Sequence, residues 1–460
     1  MINLKPLIAE TWNSLKRSGS FTQNYAFVLS GTGLNILIQI AIAPLLTRIY
    51  GPEAYGIFSL FNALCTNFAL VATLRFPQAL LLPEKDNDFY VLMRLSLLSA
   101  LLVSGILFIV LFFASVPFLS LLNAEKLSTL YFVIPVMVFF ISMNQIFGQW
   151  QYRLNKFKLS VAIDTGVLIS VRIFNLAYGL ITLGGVFGLV IGDIAGKAAG
   201  LLISGRFIIR EKISFLFAHI SWKSLKKTFT EYKRYPVINL PGVWISMLGD
   251  QLPVFFFSSS FGLTTVGMLS LAVSILDLPK RFFVYTVTSV FYQKAVELKK
   301  TSFTSLQSLV EKMMYGFLAI SVVPYAIITA FGPELFSFAF GSPWVNSGVI
   351  ARYLSIYCVF ELLYISLDSL YYVFREEKRL FVFQVSNFII RFLALFAGIQ
   401  IYDSFESAVL FLAVANVAIY SIQLSYLLRI VKLNWKKHLL TVYTVVGFFT
   451  LMSFLIRELL

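Results

Sequence analysis

Residues 50–60 have the sequence YGPEAYGIFSL, and residues 261–271 repeat its pattern as FGLTTVGMLSL. Both copies place an aromatic residue before a glycine, a second glycine five positions later, and Ser-Leu three positions after that. Each copy joins two apolar segments, as expected where one helix leaves a bilayer and the next enters it. Glycine permits the positive φ values that a tight reversal can require, and Pro52 suits the first position of a helix. The repeat therefore indicates that the chain consists of two related halves.

A second set of matches supports this duplication. At a constant offset of 219 positions, a tyrosine, an arginine and a glycine of the first half recur in the second half: Tyr152, Arg172 and Gly179 correspond to Tyr371, Arg391 and Gly398. Two sets of matches in the same order and at similar offsets favour a true duplication. Because each half is predicted to contain an even number of spans, both halves enter from the same side, and the repeats are parallel.

The composition is that of an integral membrane protein. Hydrophobic residues make up 58% of the chain and charged residues only 13%, and the mean hydropathy is +0.83. Apolar segments of 20 or more residues recur along the chain, and each is long enough to cross the hydrocarbon layer. These runs are continuous and lack the alternation of barrel strands, so they predict helices.

The apolar segments divide into two groups of six. We predict spans near 25–49, 54–80, 91–116, 129–152, 160–183, 186–206, 236–258, 265–292, 308–332, 346–373, 380–401 and 404–429. The predicted fold is an all-α polytopic membrane protein with two parallel six-helix lobes. A further apolar segment, 438–456, either crosses the membrane as a thirteenth helix or lies at its interface. The predicted domains are a cytoplasmic amphipathic N-terminus (1–23), an N-lobe (24–206), a cytoplasmic interfacial linker (207–235), a C-lobe (236–430) and a C-terminal segment (431–460).

The placement of basic residues predicts the orientation. With the N-terminus in the cytoplasm, 27 of the 37 lysines and arginines fall in the inner segments, and the outer connections among the first twelve spans contain only Lys126. This asymmetry follows the positive-inside rule. It also accounts for the net charge of +15 without a nucleic-acid partner. The linker combines lysines with aromatic residues, which predicts a helix lying on anionic lipid headgroups.

Two spans have unusual patterns of glycine and proline. The sixth carries glycine at every fourth residue from Gly184 to Gly200, a stripe that lets a neighbouring helix approach closely. The seventh contains Pro236, Pro241 and Pro253. Such a helix is expected to be bent or broken, and broken helices often line transport cavities.

The sequence contains no recognisable catalytic or metal-binding constellation. The two histidines are far apart, and both cysteines, Cys65 and Cys358, lie in apolar segments. We therefore expect a protein that is not an enzyme and that has neither a cofactor nor a metal. The candidate functional groups are charges inside the predicted spans, which cost about 2.5–3.5 kcal/mol each at mid-bilayer on insertion scales. As candidate substrate-binding cations in a cavity we select Arg75, Arg172, Arg281, Arg391, Arg48 and Lys197.

Basic residues outnumber the acidic residues within the spans, so we expect an electropositive cavity suited to an anionic substrate. Structural roles remain open for several of these groups. Asp277 with Arg281, and Asp193 with Lys197, have the four-residue spacing of ion pairs on one helix, and Arg48 can reach the outer interface. Asp250 carries either a coupling ion or a hydrogen bond between helices.

One face of the tenth span is aromatic and polar, and it contains Tyr353, Tyr357, Phe360, Tyr364, Asp368 and Tyr371. Aromatic rings of this kind either stack on sugar rings or pack against another helix. We favour helix packing.

The chain resembles the Wzx-type oligosaccharide flippases of the MATE/MurJ/Wzx (MOP) transporter superfamily over about residues 20–430. The resemblance rests on residues 44–56, PLLTRIYGPEAYG, on the counterpart between Gly262 and Gly267, and on the FGPE turn at 331–334. The family often has a proline near the inner end of the eighth helix, where this chain has FYQK at 291–294.

The resemblance implies a substrate, a mechanism and a location. The substrate is an oligosaccharide repeat unit on a polyprenyl pyrophosphate, moved by alternating access from the inner to the outer leaflet of the bacterial cytoplasmic membrane for surface polysaccharide synthesis, such as O-antigen. Membrane lipids, a polysaccharide polymerase, a chain-length regulator, and H⁺ or Na⁺ as a coupling ion are the implied partners. The alternatives are a MurJ-like lipid II flippase, a MATE-type ion-coupled multidrug exporter, and a membrane scaffold or glycosyltransferase. A glycosyltransferase should have clustered carboxylates on a polar loop, and the only acidic loop, residues 84–88, is short.

Overall fold

The computed structural model describes residues 21–217 and 221–459, and within these ranges every regular element is helical. Among these described residues, twelve helices are long and apolar enough to cross a membrane. The predicted amphipathic N-terminus, 1–23, lies almost entirely outside the described residues. In chain order the helices are α1 (Phe21–Ile49), α2 (Pro52–Ala72), α3 (Asp86–Leu121), α4 (Ile134–Arg153), α5 (Phe157–Thr182), α6 (Phe187–Phe217), α7 (Trp222–Tyr232), α8 (Leu240–Phe261), α9 (Leu263–Leu276), α10 (Tyr285–Thr301), α11 (Phe303–Phe340), α12 (Val345–Leu367), α13 (Leu370–Val373), α14 (Glu377–Tyr402), α15 (Phe405–Ile430) and α16 (Trp435–Leu459).

The seventh and eighth predicted spans each contain a π-helical turn. The seventh begins with the turn at Tyr235–Asn239, which contains Pro236, and continues as α8. The eighth divides into α9, a π-helical turn at Lys280–Val284, and α10. Pro279 explains the position of this break, because its ring removes a backbone donor and clashes with the carbonyl four residues earlier.

The C-terminal apolar segment forms a helix long enough to span. α16 is attached to the rest of its unit at three points along its length. The Tyr315 hydroxyl and His438 Nδ1 are hydrogen bonded at 2.7 Å, and the Ser421 and Tyr443 hydroxyls at 2.8 Å. At the other end Arg457 Nη2 donates to Glu334 Oε1 at 2.5 Å. The thirteenth apolar segment predicted from the sequence therefore packs against other helices of its unit.

Contacts group the chain into two compact units. The first contains Met1–Ile49, as far as it is described, together with Leu64–Ser115 and Ser128–Pro241; the second contains Tyr50–Ala63, Val116–Leu127 and Gly242–Leu460. The first turns of α2 thus belong to the second unit, and the division falls inside α2, α3 and α8 as well as in the connections after α1 and α3.

The two copies of the repeated sequence meet in the second unit. A Cβ atom on Gly56 would lie 1.7 Å from the Leu263 carbonyl oxygen, and one on Gly267 would lie 1.8 Å from that of Pro52. One turn further on, the hydroxyls of Ser59 and Ser270 are hydrogen bonded. Glycine is therefore required at this crossing of α2 and α9 for close approach. Of the two turn glycines, Gly262 has a positive φ of +80° and Gly51 does not.

The glycine stripe of the sixth span packs as predicted. A Cβ on Gly192 would lie 1.9 Å from Asn175 Oδ1, and one on Gly196 would lie 2.2 Å from Val171 Cγ2. Both neighbours are on α5. Because a side chain at either glycine would collide with α5, the stripe sets the distance between α5 and α6.

Candidate functional site

A cavity of about 310 Å³ lies within the second unit. Its lining contains apolar residues from α8, α9, α12 and α15 together with a group of charged residues. The charged lining residues are Asp250, Asp277, Lys280, Arg281, Glu361 and Arg391. Asp250, Arg281 and Arg391 are thus the sequence-predicted site residues that the structure brings together.

Arg391 is buried and fully engaged by side chains of two neighbouring helices. Its Nη1 donates to Asp250 Oδ1 at 2.5 Å, its Nε to Asn416 Oδ1 at 2.8 Å, and its Nη2 to the Tyr420 hydroxyl at 2.8 Å. The Arg391 side chain is 9% exposed, whereas that of Asp250 is 64% exposed. The planar guanidinium suits this role because its donors point in fixed directions to several acceptors.

A second buried group continues this network. The Tyr420 hydroxyl donates to Glu361 Oε1 at 2.9 Å, and Lys280 Nζ donates to Glu361 Oε2 at 2.6 Å. Lys280 Nζ also lies 2.5 Å from Asp277 Oδ1. Both oxygens of Glu361 are therefore hydrogen bonded, one by a hydroxyl and one by an ammonium group.

Together these residues form one chain of contacts: Asp250, Arg391, Tyr420, Glu361, Lys280 and Asp277. It joins α8, α14, α15, α12 and the segment that follows α9. Charge-assisted hydrogen bonds of this kind are stronger than neutral ones. Removing one member leaves a buried partner uncompensated, which typically costs about 3–5 kcal/mol. The network therefore fixes the relative positions of these helices.

The cavity is charge-balanced, although an electropositive cavity was expected. It is lined by three carboxylates and three basic side chains. Counting basic residues over all spans did not reveal which ones share a cavity with acidic partners. Asp277 forms its ion pair with Lys280, a partner that the sequence analysis did not select.

Arg281 is the cavity cation with the greatest access. Its side chain is exposed, and no hydrogen bond or ion pair joins it to another residue in the described part of the chain. Lys280 and Arg391, in contrast, are held by carboxylates. Arg281 can therefore receive an anionic group without breaking an existing pair.

The aromatic face of the tenth span packs against a neighbouring helix. The ring of Tyr357 stacks on Tyr420 with centroids 6.2 Å apart, and Tyr371 stacks on Tyr426 at 6.0 Å. Tyr371 is completely buried. Helix packing, the interpretation favoured from the sequence, is the one that these contacts support, and Tyr371 is not available to stack on a sugar.

The remaining predicted cations lie in the first unit. Arg172 is half-buried on α5, and its Nε is buried without a hydrogen-bond partner among the described residues. Arg75 Nε donates to Asn239 Oδ1 at 3.0 Å, and Lys197 Nζ lies 3.7 Å from Asp193 Oδ1, the helical pair considered from the sequence. Arg48 is exposed in the last turn of α1.

Sequence reasoning missed Asn416 and Tyr420 as members of the site. They lie four residues apart on α15, so both face the same side of an apolar helix. That spacing of an amide and a hydroxyl was the available signal. In residues 21–217 and 221–459 no group of three or more histidine, cysteine, aspartate or glutamate side chains could hold a metal ion.

Comparison with known families identifies the chain. The sequence profile of a family described as polysaccharide biosynthesis protein matches residues 21–292, which is more than half of the chain. The chain belongs to this polysaccharide biosynthesis family. Among curated protein sequences none matches significantly.

Solved structures with the same fold are transporters. Lipid II flippase MurJ in an inward closed conformation is 14% identical, with a TM-score of 0.67, over 94% of this chain and 97% of that one. An inward-facing multidrug resistance MATE transporter of the MOP superfamily is 14% identical, with a TM-score of 0.62, over 90% and 95%. A eukaryotic MATE transporter is 13% identical, with a TM-score of 0.59, over 93% and 98%. The chain is therefore a multi-pass membrane protein with the MATE/MurJ fold, as the sequence predicted.

Proposed function

We propose that this protein is a flippase that moves oligosaccharide repeat units, carried on polyprenyl pyrophosphate, from the inner to the outer leaflet for surface polysaccharide biosynthesis. Membership of the polysaccharide biosynthesis family is the observation that carries this proposal. The MATE/MurJ fold supports a transport role rather than an enzymatic one.

The chemistry of such a substrate requires a protein with polar groups inside the membrane. A glycan cannot cross hydrocarbon alone, because its hydroxyls would lose their hydrogen bonds to water. The pyrophosphate adds negative charge, which cationic side chains in a cavity can balance. The polyprenyl tail is apolar and can stay in the bilayer, so only the headgroup needs a protein path.

We assign different roles to the candidate cations. Arg281 binds an anionic group of the substrate in the second unit, because its side chain is exposed and lines the cavity. Arg172 is a separate candidate within the first unit, because its Nε is buried without a hydrogen-bond partner among the described residues. Arg391 is a positioning residue that holds the network of the second unit together. Asp250 remains the candidate for H⁺ or Na⁺ coupling, because its carboxylate is exposed despite its contact with Arg391.

Arg75, Lys197 and Arg48 contribute at most secondary contacts in this scheme. Arg75 and Lys197 each have a described partner. Arg48 lies at the end of a helix. We further propose that the protein resides in the bacterial cytoplasmic membrane with its N-terminus inside, where a polymerase and a chain-length regulator would receive the product.

The main alternatives differ in substrate. A multidrug exporter for cationic drugs would need accessible carboxylates. Here Glu361 and Asp277 are both paired with Lys280, and the more exposed Asp250 is bonded to Arg391, so each cavity carboxylate already has a basic partner, which argues against that use. A lipid II flippase would face the same physical problem as an oligosaccharide flippase, and the family match to polysaccharide biosynthesis favours the latter.

Deletion of the protein, followed by mass spectrometry of lipid-linked intermediates, tests the proposal. We expect the complete repeat unit to accumulate on its carrier in the inner leaflet while surface polysaccharide falls. Arg281→Ala should reproduce the accumulation, and Lys300→Ala, an exposed lysine outside the cavity lining, should not. Normal levels of both intermediate and surface glycan in the deletion strain would rule the proposal out.

A further inference from the structure

In the sequence, the short helix α7, Trp222–Tyr232, follows the spans of the first unit and precedes α8. It has two distinct faces. One face is packed, and it contains the buried residues Leu225 and Thr228. The opposite face exposes lysines, with a tryptophan that is 79% exposed at its start. The exposed basic residues in and after α7 are Lys223, Lys226, Lys227, Lys233 and Arg234.

α7 is held close to the end of a membrane span. Only Lys233 and Arg234 separate it from Tyr235, where the next candidate span begins. The three Cα–Cα steps from Tyr232 to Tyr235 reach at most about 11 Å, so the end of α7 cannot lie far from the membrane surface. In the predicted orientation this surface is the cytoplasmic leaflet.

The packed face is anchored, which fixes the direction of the lysines. The ring of Phe229 lies against Phe76 with centroids 6.0 Å apart. Phe76 is completely buried in a cluster that includes Phe89 and Trp150, and Tyr232 packs against the same cluster. The helix therefore cannot roll to hide its basic face without breaking these contacts.

The basic face has no protein partner in the described residues. None of the five basic side chains forms an ion pair there, and Glu231 is the one acidic residue between Trp222 and Arg234. A row of cations with an adjacent exposed tryptophan matches the chemistry of a lipid interface. Lysines are attracted to anionic headgroups, and amphipathic indole rings are enriched at headgroup level.

We propose that the exposed face of α7 binds the headgroups of anionic phospholipids. The inference is independent of the transported substrate. The packing beneath α7 continues to the turn that precedes α8. Phe76 is next to Arg75 in the sequence, and Arg75 donates to Asn239 in that turn. Lipid bound on α7 thus stabilises the packing at this end of the first unit.

Fluorescence quenching by brominated lipids in nanodiscs tests the proposal on the full-length protein. One sample contains brominated phosphatidylglycerol in unlabelled phosphatidylcholine, and the other has the labels exchanged at the same mole fraction. Subtracting the signal of the Trp222→Phe variant isolates Trp222 from the other tryptophans. We expect Trp222 to be quenched several-fold more by the anionic lipid, and inorganic pyrophosphate should not reverse the preference.

Matched triple variants assign the preference to α7. The preference of Trp222 for the anionic lipid should fall by at least about tenfold in the variant Lys223→Gln/Lys226→Gln/Lys227→Gln, because each lysine near an anionic surface contributes to binding. Lys294→Gln/Lys300→Gln/Lys312→Gln removes the same charge from exposed positions near Glu297 and Glu311 and should leave it unchanged.

Equal quenching of Trp222 by both brominated lipids overturns the proposal, and this wild-type result holds even if a triple variant fails to fold. A preference that survives the α7 triple substitution also overturns it. Competition by pyrophosphate would identify a soluble anion site instead of a lipid surface.

Discussion

Arg391 and Arg172 occupy equivalent positions in the two halves of the sequence, yet their surroundings differ. Arg391 donates from three nitrogens to Asp250, Asn416 and Tyr420. Arg172 keeps a buried Nε without a partner among the described residues. An unsatisfied buried donor is costly. The difference teaches that an arginine at matching positions of a repeat can have different surroundings: Arg391 joins helices of its unit, whereas Arg172 keeps a donor that the proposed substrate would satisfy.

Another duplicated pair has kept a shared role. Gly56 and Gly267 each allow close backbone approach at the same crossing, and Ser59 and Ser270 are bonded to each other. A repeat that contacts itself must stay symmetric, because a change in one copy alters the fit of the other. Arg172 and Arg391 face different neighbours and were free to diverge.

The largest expected effect comes from Arg391. Arg391→Ala should destabilise the protein by about 3–5 kcal/mol, because the buried Asn416 and Tyr420 each lose a hydrogen-bond donor at about 1–3 kcal/mol apiece, whereas the exposed Asp250 loses little, and export should be lost. Arg391→Lys keeps the charge but cannot reach three acceptors in a plane, so it should rescue only in part. Thermal unfolding of the purified protein measures the loss. An unchanged melting temperature in Arg391→Ala would contradict the structural role.

Substitution of Lys280 tests whether the contacts around Glu361 and Asp277, at the other end of the network, also stabilise the fold. Lys280→Met should cost about 3 kcal/mol because Glu361 and Asp277 lose their counter-ion. The double variant Lys280→Met/Glu361→Gln should be more stable than Lys280→Met alone. A double-mutant cycle by thermal unfolding gives the coupling, which we expect to be about 2 kcal/mol. Additive effects would mean that the two side chains do not interact.

Arg172 should behave in the opposite way to Arg391. Arg172→Ala should lower export by roughly tenfold to a hundredfold, the value of a charged hydrogen bond to phosphate. It should change the unfolding free energy by less than about 1 kcal/mol, because the structure gives it no ion pair to break. Export and melting temperature are measured on the same preparations. A large loss of stability, or normal surface glycan, would remove Arg172 from the proposed binding site.

The smallest effects are expected from the symmetric serines. Ser59→Ala should cost about 1 kcal/mol, and Ser270→Ala should cost about the same once the cost of the Ser274→Ala control is subtracted, because the Ser270 hydroxyl also donates to the Val266 carbonyl in its own helix. Ser274→Ala on the same helix as Ser270 is the control, because its hydroxyl donates only to the Leu271 carbonyl in its own helix. Clearly unequal losses of unfolding free energy for the two serines, after subtraction of the control, would show that this pair has diverged as well.

Much of the fold could be predicted because it depends on local sequence. Apolar length predicts the spans, and the glycines of α6 predict its close contact with α5. The break after α9 did not follow from hydropathy, because the apolar run continues on both sides of Pro279. The partners of Arg391 and Glu361 could not be found, since α8, α15 and the turn at Lys280–Val284 supply them and only packing brings these segments together. For the same reason the total of basic residues misjudged the cavity, where Lys280 already balances two carboxylates.

Transport by the purified protein in liposomes tests the central claim most directly. The liposomes carry a polyprenyl-pyrophosphate-linked repeat unit in both leaflets, and a membrane-impermeant glycan-modifying reagent is added outside. Empty liposomes should protect about half of the lipid, whereas wild-type protein should expose nearly all of it. Arg172→Ala should slow this exposure at an unchanged melting temperature. Protection in the presence of wild-type protein that equals that of empty liposomes would contradict the claim that this chain is a flippase.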